Sequence, residues 1–353
     1  MSRATFATID CDAIARNLEV VRARAPHAKI MAVVKAEGYG HGLERAARAL
    51  VRADAFGVAT LDDAERLRAA GLDNRIVLLE GYDEAEDLKK ISALRLDFVL
   101  HDSSQLAALG SFSAHPGMLI WLKVDSGMHR LGFEPAAAQA VLQELLARGF
   151  EVVLMTHFAN AEGAGLPAVD QQSARFFSHF ANMSKPLSFA NSAAILHHPH
   201  SHHDWVRAGG ILYGLSTEPK RTGADLGFEP AMHLSARLIA LKTVARGERV
   251  GYGGSFLCER ETRLGVVAIG YGDGYPRHAA SGTPVRLRGQ RATLAGRVSM
   301  DMLTIDVTDV HGVAVGDDVT LWGADLPVEE IAEAAGTISY ELTCGMTRRM
   351  EYR

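Results

Sequence analysis

Ile30-Met31-Ala32-Val33-Val34-Lys35-Ala36-Glu37-Gly38-Tyr39-Gly40-His41-Gly42 decides how the rest of the chain is read. Its first half is a short β-branched apolar run, bounded by a turn signal, which predicts a buried strand from Ile30 to Val34. The run ends on a lysine. Glycines and a tyrosine follow, and helical spacing begins at Leu43. An unpaired ammonium is costly to desolvate, so Lys35 has two readings. It snorkels to a strand end or pairs with a carboxylate, or it is an amine nucleophile that forms a Schiff base with a carbonyl.

Working outward, the same pattern repeats. Strand-like runs fall at 55–59, 76–79, 97–100, 118–124, 152–156, 187–190 and 205–207. Helical patterns lie between them, clearest at 43–51, 62–70, 136–148 and 171–183. Parallel strands need crossover helices, and eight of them close a barrel. The expected fold is therefore α/β, a (β/α)8 TIM barrel. After about Ser216 the pattern changes to strands joined by Gly- and Asp-rich turns, at 234–244, 264–269, 285–287, 302–307 and 319–322, with one helix at 327–335. This predicts a mainly β C-terminal domain, with residues 1–228 forming the barrel domain and 229–353 the second. Asp12 is the expected cap of a first helix carrying Ile14, Leu18 and Val21.

Composition narrows the function. With 48% hydrophobic residues the chain can build a full core, and a net charge of −5 without basic runs argues against nucleic acid. No apolar run approaches membrane-spanning length, and no secretory leader is visible. The cysteines, Cys11, Cys258 and Cys344, are odd in number and far apart, which implies a reducing compartment. The expectation is a cytoplasmic protein. The histidine-rich run His197 to His203 fits no standard zinc spacing, so no metal is expected.

In a barrel of this kind chemistry sits at the C-terminal strand ends. There lie Lys35, Lys123, Asp125, Arg130, Thr156-His157, Asn191-Ser192 and Arg207-Ala208-Gly209-Gly210. Convergence of polar residues from five strands points to a binding site. The small residues after strands seven and eight suit an anion, because backbone N–H groups can approach it.

Several stretches together resemble the alanine racemases, pyridoxal-phosphate enzymes of fold type III. They are the Lys35 stretch, Leu122 to Phe133, Val206-Arg207-Ala208-Gly209, Arg249 to Gly253, Gly270 to Arg277 and Gly296 to Asp301. That family usually has Asn-Ala where Glu37-Gly38 stands, and Pro or Phe in place of Ala208. The resemblance implies pyridoxal 5'-phosphate as cofactor, carried by Lys35. It implies phosphate ligands Tyr39, Ser192, Gly209, Gly210 and Tyr340, with Arg207 facing the pyridine nitrogen. An arginine there makes the ring a weaker electron sink than an acid would. Racemisation needs a base on each face of Cα, and the implied pair is Lys35 and Tyr252. A tyrosine needs nearby positive charge or hydrogen bonds to act near neutrality, and His157 and Arg207 are candidates. Arg130 and Met300 would hold the substrate carboxylate, with Lys123 as a carbamylated buttress. Tyr271 and Tyr340 would narrow the substrate entrance, and Asp301 would belong to the substrate-binding loop. The implied assembly is a homodimer in which Tyr252, Tyr271, Met300 and Asp301 complete the other subunit's site. The implied role is supply of D-alanine for peptidoglycan synthesis, or alanine catabolism. The alternatives are a same-fold basic amino-acid decarboxylase, which needs an acid where Arg207 stands, and a non-catalytic cofactor carrier.

Overall fold

The computed structural model describes residues 4–110, 112–162, 168–181 and 183–353. It divides into two compact units. One comprises Ala15–Gly38 and Gly42–Leu212. The other gathers the N-terminal residues through Ile14, Tyr39–His41 and Tyr213–Arg353. After the N-terminal strand β1 (Thr5–Ile9), eight parallel strands build the first unit. These are β2 (Lys29–Val33), β3 (Ala55–Val58), β4 (Arg75–Leu78), β5 (Asp97–Leu100), β6 (Leu119–Lys123), β7 (Glu151–Met155), β8 (Leu187–Ser188) and β9 (Trp205–Ala208). They pair in sequence order and close between β2 and β9, where Met31 meets Arg207. The expected barrel is present, with all eight strands where the apolar runs lie.

Side chains alternate across a strand, so every second residue fills the interior. Met31, Ala55, Val77, Val99, Trp121, Val153, Met155 and Trp205 form that core, all buried. Burying a Val, Leu or Met side chain is worth about 1.5–3 kcal/mol. Polar groups near the N-terminal strand ends are paired. Asp97 accepts from Leu119 N (2.9 Å), from the Trp121 indole (3.2 Å) and from Arg75 (2.6 Å). Burial raises its carboxyl above the usual range, and these donors oppose that. Trp121 packs edge-on against Trp205 at 5.2 Å.

The second unit is built on β10 (Met232–Val244). It pairs antiparallel with β1, β13 (Thr262–Val267) and β17 (Asp318–Trp322). The short strands β11 (Arg249–Val250) and β12 (Phe256–Leu257) pair with each other, and between β13 and β17 lie β14 (Pro284–Leu287), β15 (Gln290–Leu294) and β16 (Leu303–Asp306). The fold is thus a (β/α)8 barrel with a mainly β C-terminal part. Strand β15 has little apolar signal. It is set by a two-residue hairpin at Arg288-Gly289, both at positive φ (52° and 75°), as a type I′ turn requires. Helix Ser339–Cys344 was also not expected. The cap of the first helix, Cys11–Arg24, is Asp10 and not Asp12. The Asp10 Oδ1 accepts Ala13 N–H at 2.8 Å, the reach of a side chain just outside the first turn.

Candidate active site

The inward alternation of β2 runs Met31, Val33, Lys35, so the lysine continues the barrel interior upward. The same step carries Trp121 to Lys123, Met155 to His157 and Trp205 to Arg207. Four strand ends therefore deliver polar side chains above one apolar core. Lys35 Nζ lies 3.6 Å from Glu80 Oε1. Beyond it the backbone makes a left-handed turn. Ala36, Glu37, Gly38 and Tyr39 have φ of 54°, 54°, 59° and 53°. Gly38 N–H donates to Val34 O, and Gly42 N–H to Glu37 O, both at 2.8 Å. A left-handed conformation costs an L-residue about 1–2 kcal/mol, and three of these four are not glycine. Gly40, at φ 84°, closes the turn because a Cβ would sit 1.9 Å from Thr343 O.

Lys123 is buried, and burial together with the charges of Arg207, Arg130 and Lys35 lowers its ammonium to about 8. Arg207 is also buried. Its NH1 donates to Ser188 O (2.8 Å) and Ser188 Oγ (2.7 Å). Its NH2 donates to Thr156 O (2.8 Å), Phe189 O (3.1 Å) and His157 Nδ1 (3.1 Å). Because an arginine only donates, His157 Nδ1 must accept and the ring proton belongs on Nε2. Burial, then the charges of Arg207 and Lys123, hold His157 well below its ordinary range, so it is neutral. Burial pulls Arg207 down to about 9, still above neutrality, so it stays charged. No described residue accepts from its Nε.

Arg130 stands exposed on a loop organised by Asp125. Asp125 Oδ1 accepts N–H from Gly127 (2.9 Å), Met128 (3.1 Å) and His129 (3.0 Å). Asp125, His129 and Glu134 each bring a ligand atom within 4.8 Å of the others. Asp125 is already used by the loop, and Glu134 pairs with Arg175 at 2.8 Å. Of the histidine-rich run, His200 meets Asp170 (3.1 Å), His202 meets Ile195 O (3.2 Å), and His203 packs on Phe189. After β8, Asn191 caps Ser192–His197, its Oδ1 accepting Ala194 N–H at 3.0 Å. After β9, Gly209 N–H donates to Ser192 Oγ at 3.0 Å. Ser192, Gly209 and Gly210 thus form one small-residue rim.

A larger cleft, about 770 Å³, opens among Arg68, Arg75, Asp97 and His115. It lies at the N-terminal strand ends, where barrels carry stability rather than chemistry. Its arginines already serve carbonyls and Asp97.

In the second unit Tyr39 stacks on Tyr213 (5.0 Å between centroids) and meets Tyr340 edge-on (5.4 Å). Burial keeps the Tyr39 hydroxyl protonated. Tyr252 sits in a glycine turn and is 69% exposed, with Met300 at 53% and Tyr271 at 38%. Tyr271 N–H donates to Ser299 O (3.0 Å) and Gly272 N–H to Met300 O (2.9 Å), which joins two of the sequence motifs. Gly251, beside Tyr252, packs near Arg297 of the loop that carries Ser299 and Met300. Asp301 pairs with Arg349, which also reaches buried Asp273 at 3.5 Å. Asp273 and Arg349 were not singled out from sequence. The Gly272-Asp273-Gly274 spacing marks the turn, but its partner lies 76 positions on.

A barrel with a lysine at a strand end, three further cations around it and a rim of small residues is the scaffold of an enzyme for an anionic small molecule. Family comparison gives the particular kind. Residues 9–217 match the alanine racemase N-terminal domain and residues 231–353 the C-terminal domain. An alanine racemase of Nitrosomonas europaea is 47% identical, covering 99% of this chain and 98% of its own length. The biosynthetic alanine racemase of Pseudomonas aeruginosa superposes with TM-score 0.96 at 45% identity, covering 100% and 99% of the two chains. That of Bartonella henselae, solved with covalently bound pyridoxal phosphate, does so with TM-score 0.90 at 28% identity, covering 99% of each. The chain belongs to the alanine racemase family, enzymes of the isomerase class. No helix among the described residues is long and apolar enough to cross a membrane.

Proposed function

We propose that the chain is a pyridoxal-phosphate-dependent alanine racemase, working as a homodimer with one base from each subunit. The observation that carries this is the charge arrangement at Lys35. Lys35, Lys123, Arg130 and Arg207 gather around neutral His157, with Glu80 the carboxylate within reach of Lys35. Such a cluster needs an anion, and pyridoxal phosphate with an amino-acid carboxylate supplies more than one negative charge. The residues fit the cofactor in kind. The Arg207 Nε–H is a donor that no described residue takes, and Gly209 and Gly210 place no side chain at the rim. Ser192, Gly209, Gly210, Tyr39 and Tyr340 would hold the phosphate, Arg207 the ring nitrogen, and Lys35 the aldehyde carbon. When bound, the cofactor supplies an electron sink that acidifies the Cα proton.

This chain's residues do the rest. Arg130 fixes the substrate carboxylate with a planar fork, aided by a backbone N–H of Met300 of the partner subunit. Lys35 would move a proton on one face of Cα. Tyr252 of the partner subunit serves the other face. Tyr271 of the same β part narrows the entrance together with Tyr340, and Asp301 belongs to the substrate-binding loop. His157, neutral and oriented by Arg207, carries no charge of its own, so Arg207 sets the positive field. Arg207 also disfavours the decarboxylase reading, which needs a carboxylate at that position.

Borohydride reduction of the purified enzyme, followed by peptide mapping, tests the assignment. The label is expected on Lys35, and a label on Lys123 instead would sink it.

Lys123 is read as the carbamylated lysine. An amine attacks carbon dioxide only when unprotonated. The new N–C bond forms as one proton leaves nitrogen, giving a carbamate anion. With its ammonium lowered to about 8, Lys123 has an appreciable free-amine fraction near neutrality. The fraction grows as pH rises, so carbamate should increase through the range around pH 8. The anion would offset the charge of Arg130 beside it. Protein equilibrated with carbon-13 bicarbonate should show a carbamate carbon that strengthens with pH and is absent from Lys123→Ala. A spectrum without that signal throughout the range would remove the carbamate.

A further inference from the structure

The turn that carries Lys35 is gripped by a side chain from the helix that follows β3. Arg66, in Leu61–Ala69, donates NH2 to Glu37 Oε2 at 3.0 Å, while NH1 pairs with Glu37 Oε1. The same guanidinium bonds Glu44 of Leu43–Ala49, Nε to Oε1 at 2.8 Å and NH2 to Oε2 at 3.1 Å. One planar fork thus ties the interior of the turn to the helix that follows it. Hydrogen bonding from Arg66 holds the Glu44 carboxyl below the usual range. Glu37 lies at φ 54°, a backbone state that Gly and Asn adopt far more readily than Glu. Nothing in the intrinsic preference of Ala36, Glu37 or Tyr39 selects this turn, so an external restraint has to.

We propose that Arg66, acting through Glu37, is the positioning residue that keeps the Lys35 turn left-handed and so keeps the Lys35 amine aimed at the cofactor. The inference rests on the reading of Lys35 as the cofactor lysine. Arg66 touches neither substrate nor cofactor, and its effect travels through the carboxylate of Glu37.

The test starts with apoprotein, where the clamp can be read without the cofactor. Gly38 N–H and Gly42 N–H close the turn onto Val34 O and Glu37 O, so their hydrogen exchange reports it. Arg66→Met should speed exchange in the 35–42 segment by about tenfold or more while other barrel strands stay protected. In holoenzyme the same variant should release pyridoxal phosphate about tenfold faster, with kcat falling more than KM rises. Adding Glu37→Asn to Arg66→Met should return both rates to within about threefold of the parent, because asparagine tolerates positive φ without a clamp. Unchanged exchange at Gly38 and Gly42 in Arg66→Met would overturn the proposal. So would a double variant no better than the single one. A borohydride label away from Lys35 would instead refute the cofactor reading, and the apoprotein exchange would still decide the clamp.

Discussion

Replacing Tyr252 by phenylalanine is expected to lower racemisation by about 10²–10⁴-fold, the usual worth of a general base, while the protein stays folded and keeps its cofactor. The folding half follows from exposure. Tyr252 is 69% exposed in a glycine turn, so its hydroxyl supports no core packing within the chain. The catalytic half follows from the two-face requirement. Exchange of the Cα proton should survive from the one enantiomer whose proton faces Lys35, expected to be D-alanine, and fail from the other. Mixing then tests the assembly. If Tyr252 serves the partner's site, a dimer of one Tyr252→Phe subunit and one Lys35→Ala subunit has one site with both bases and one with neither. Random exchange of equal amounts makes half the dimers mixed, so about a quarter of the parent activity should return from two inactive variants. Subunit exchange without recovery would mean that both bases belong to one chain, or that Tyr252 is not the second base.

Much of this architecture could be read before any coordinate was known. The eight barrel strands lie in short apolar runs of the spacing that parallel strands need, and their polar residues fall at the ends where period-two alternation points inward. Other features were hidden because they depend on residues far apart in sequence. Asp97 looks like an ordinary acid at the start of a strand until Arg75 and Trp121 are beside it. Asp273 and Arg349 lie on opposite sides of the C-terminal sheet's sequence and meet only when it folds. The left-handed turn after Lys35 was illegible for a different reason. Local preference opposes it at Ala36, Glu37 and Tyr39, so only tertiary restraint reveals it. Strand β15 was missed because its turn, Arg288-Gly289, lacks the Asn or Asp that usually announces a type I′ hairpin.

Arg207 should be the least replaceable residue of the barrel unit, and the two informative substitutions differ sharply. Its two terminal nitrogens serve five acceptors, the carbonyls of Ser188, Thr156 and Phe189, the Ser188 hydroxyl and His157 Nδ1. Arg207→Glu would replace those donors with a carboxylate facing three carbonyl oxygens in a buried site. Breaking a buried charged network by one partner costs about 3–5 kcal/mol before that repulsion is added. This is a large part of the roughly 5–15 kcal/mol that holds a domain together. The expected outcome is a protein with a strongly lowered denaturation midpoint that fails to retain cofactor. Arg207→Lys keeps the charge but offers three donors from one point, so at least two acceptors lose their partners at about 1–3 kcal/mol each. That variant should fold with a reduced midpoint. His157 should also lose the donor that fixes its Nδ1 as acceptor. If Arg207 faces the ring nitrogen as proposed, removing its guanidinium should lower racemisation and raise the release of pyruvate from alanine per turnover, because misplaced reprotonation is less restrained. Denaturant titration and the ratio of pyruvate formed to alanine racemised separate the two effects. A parental midpoint in Arg207→Glu would show that the buried network is not as drawn, and an unchanged ratio in Arg207→Lys would detach Arg207 from the cofactor.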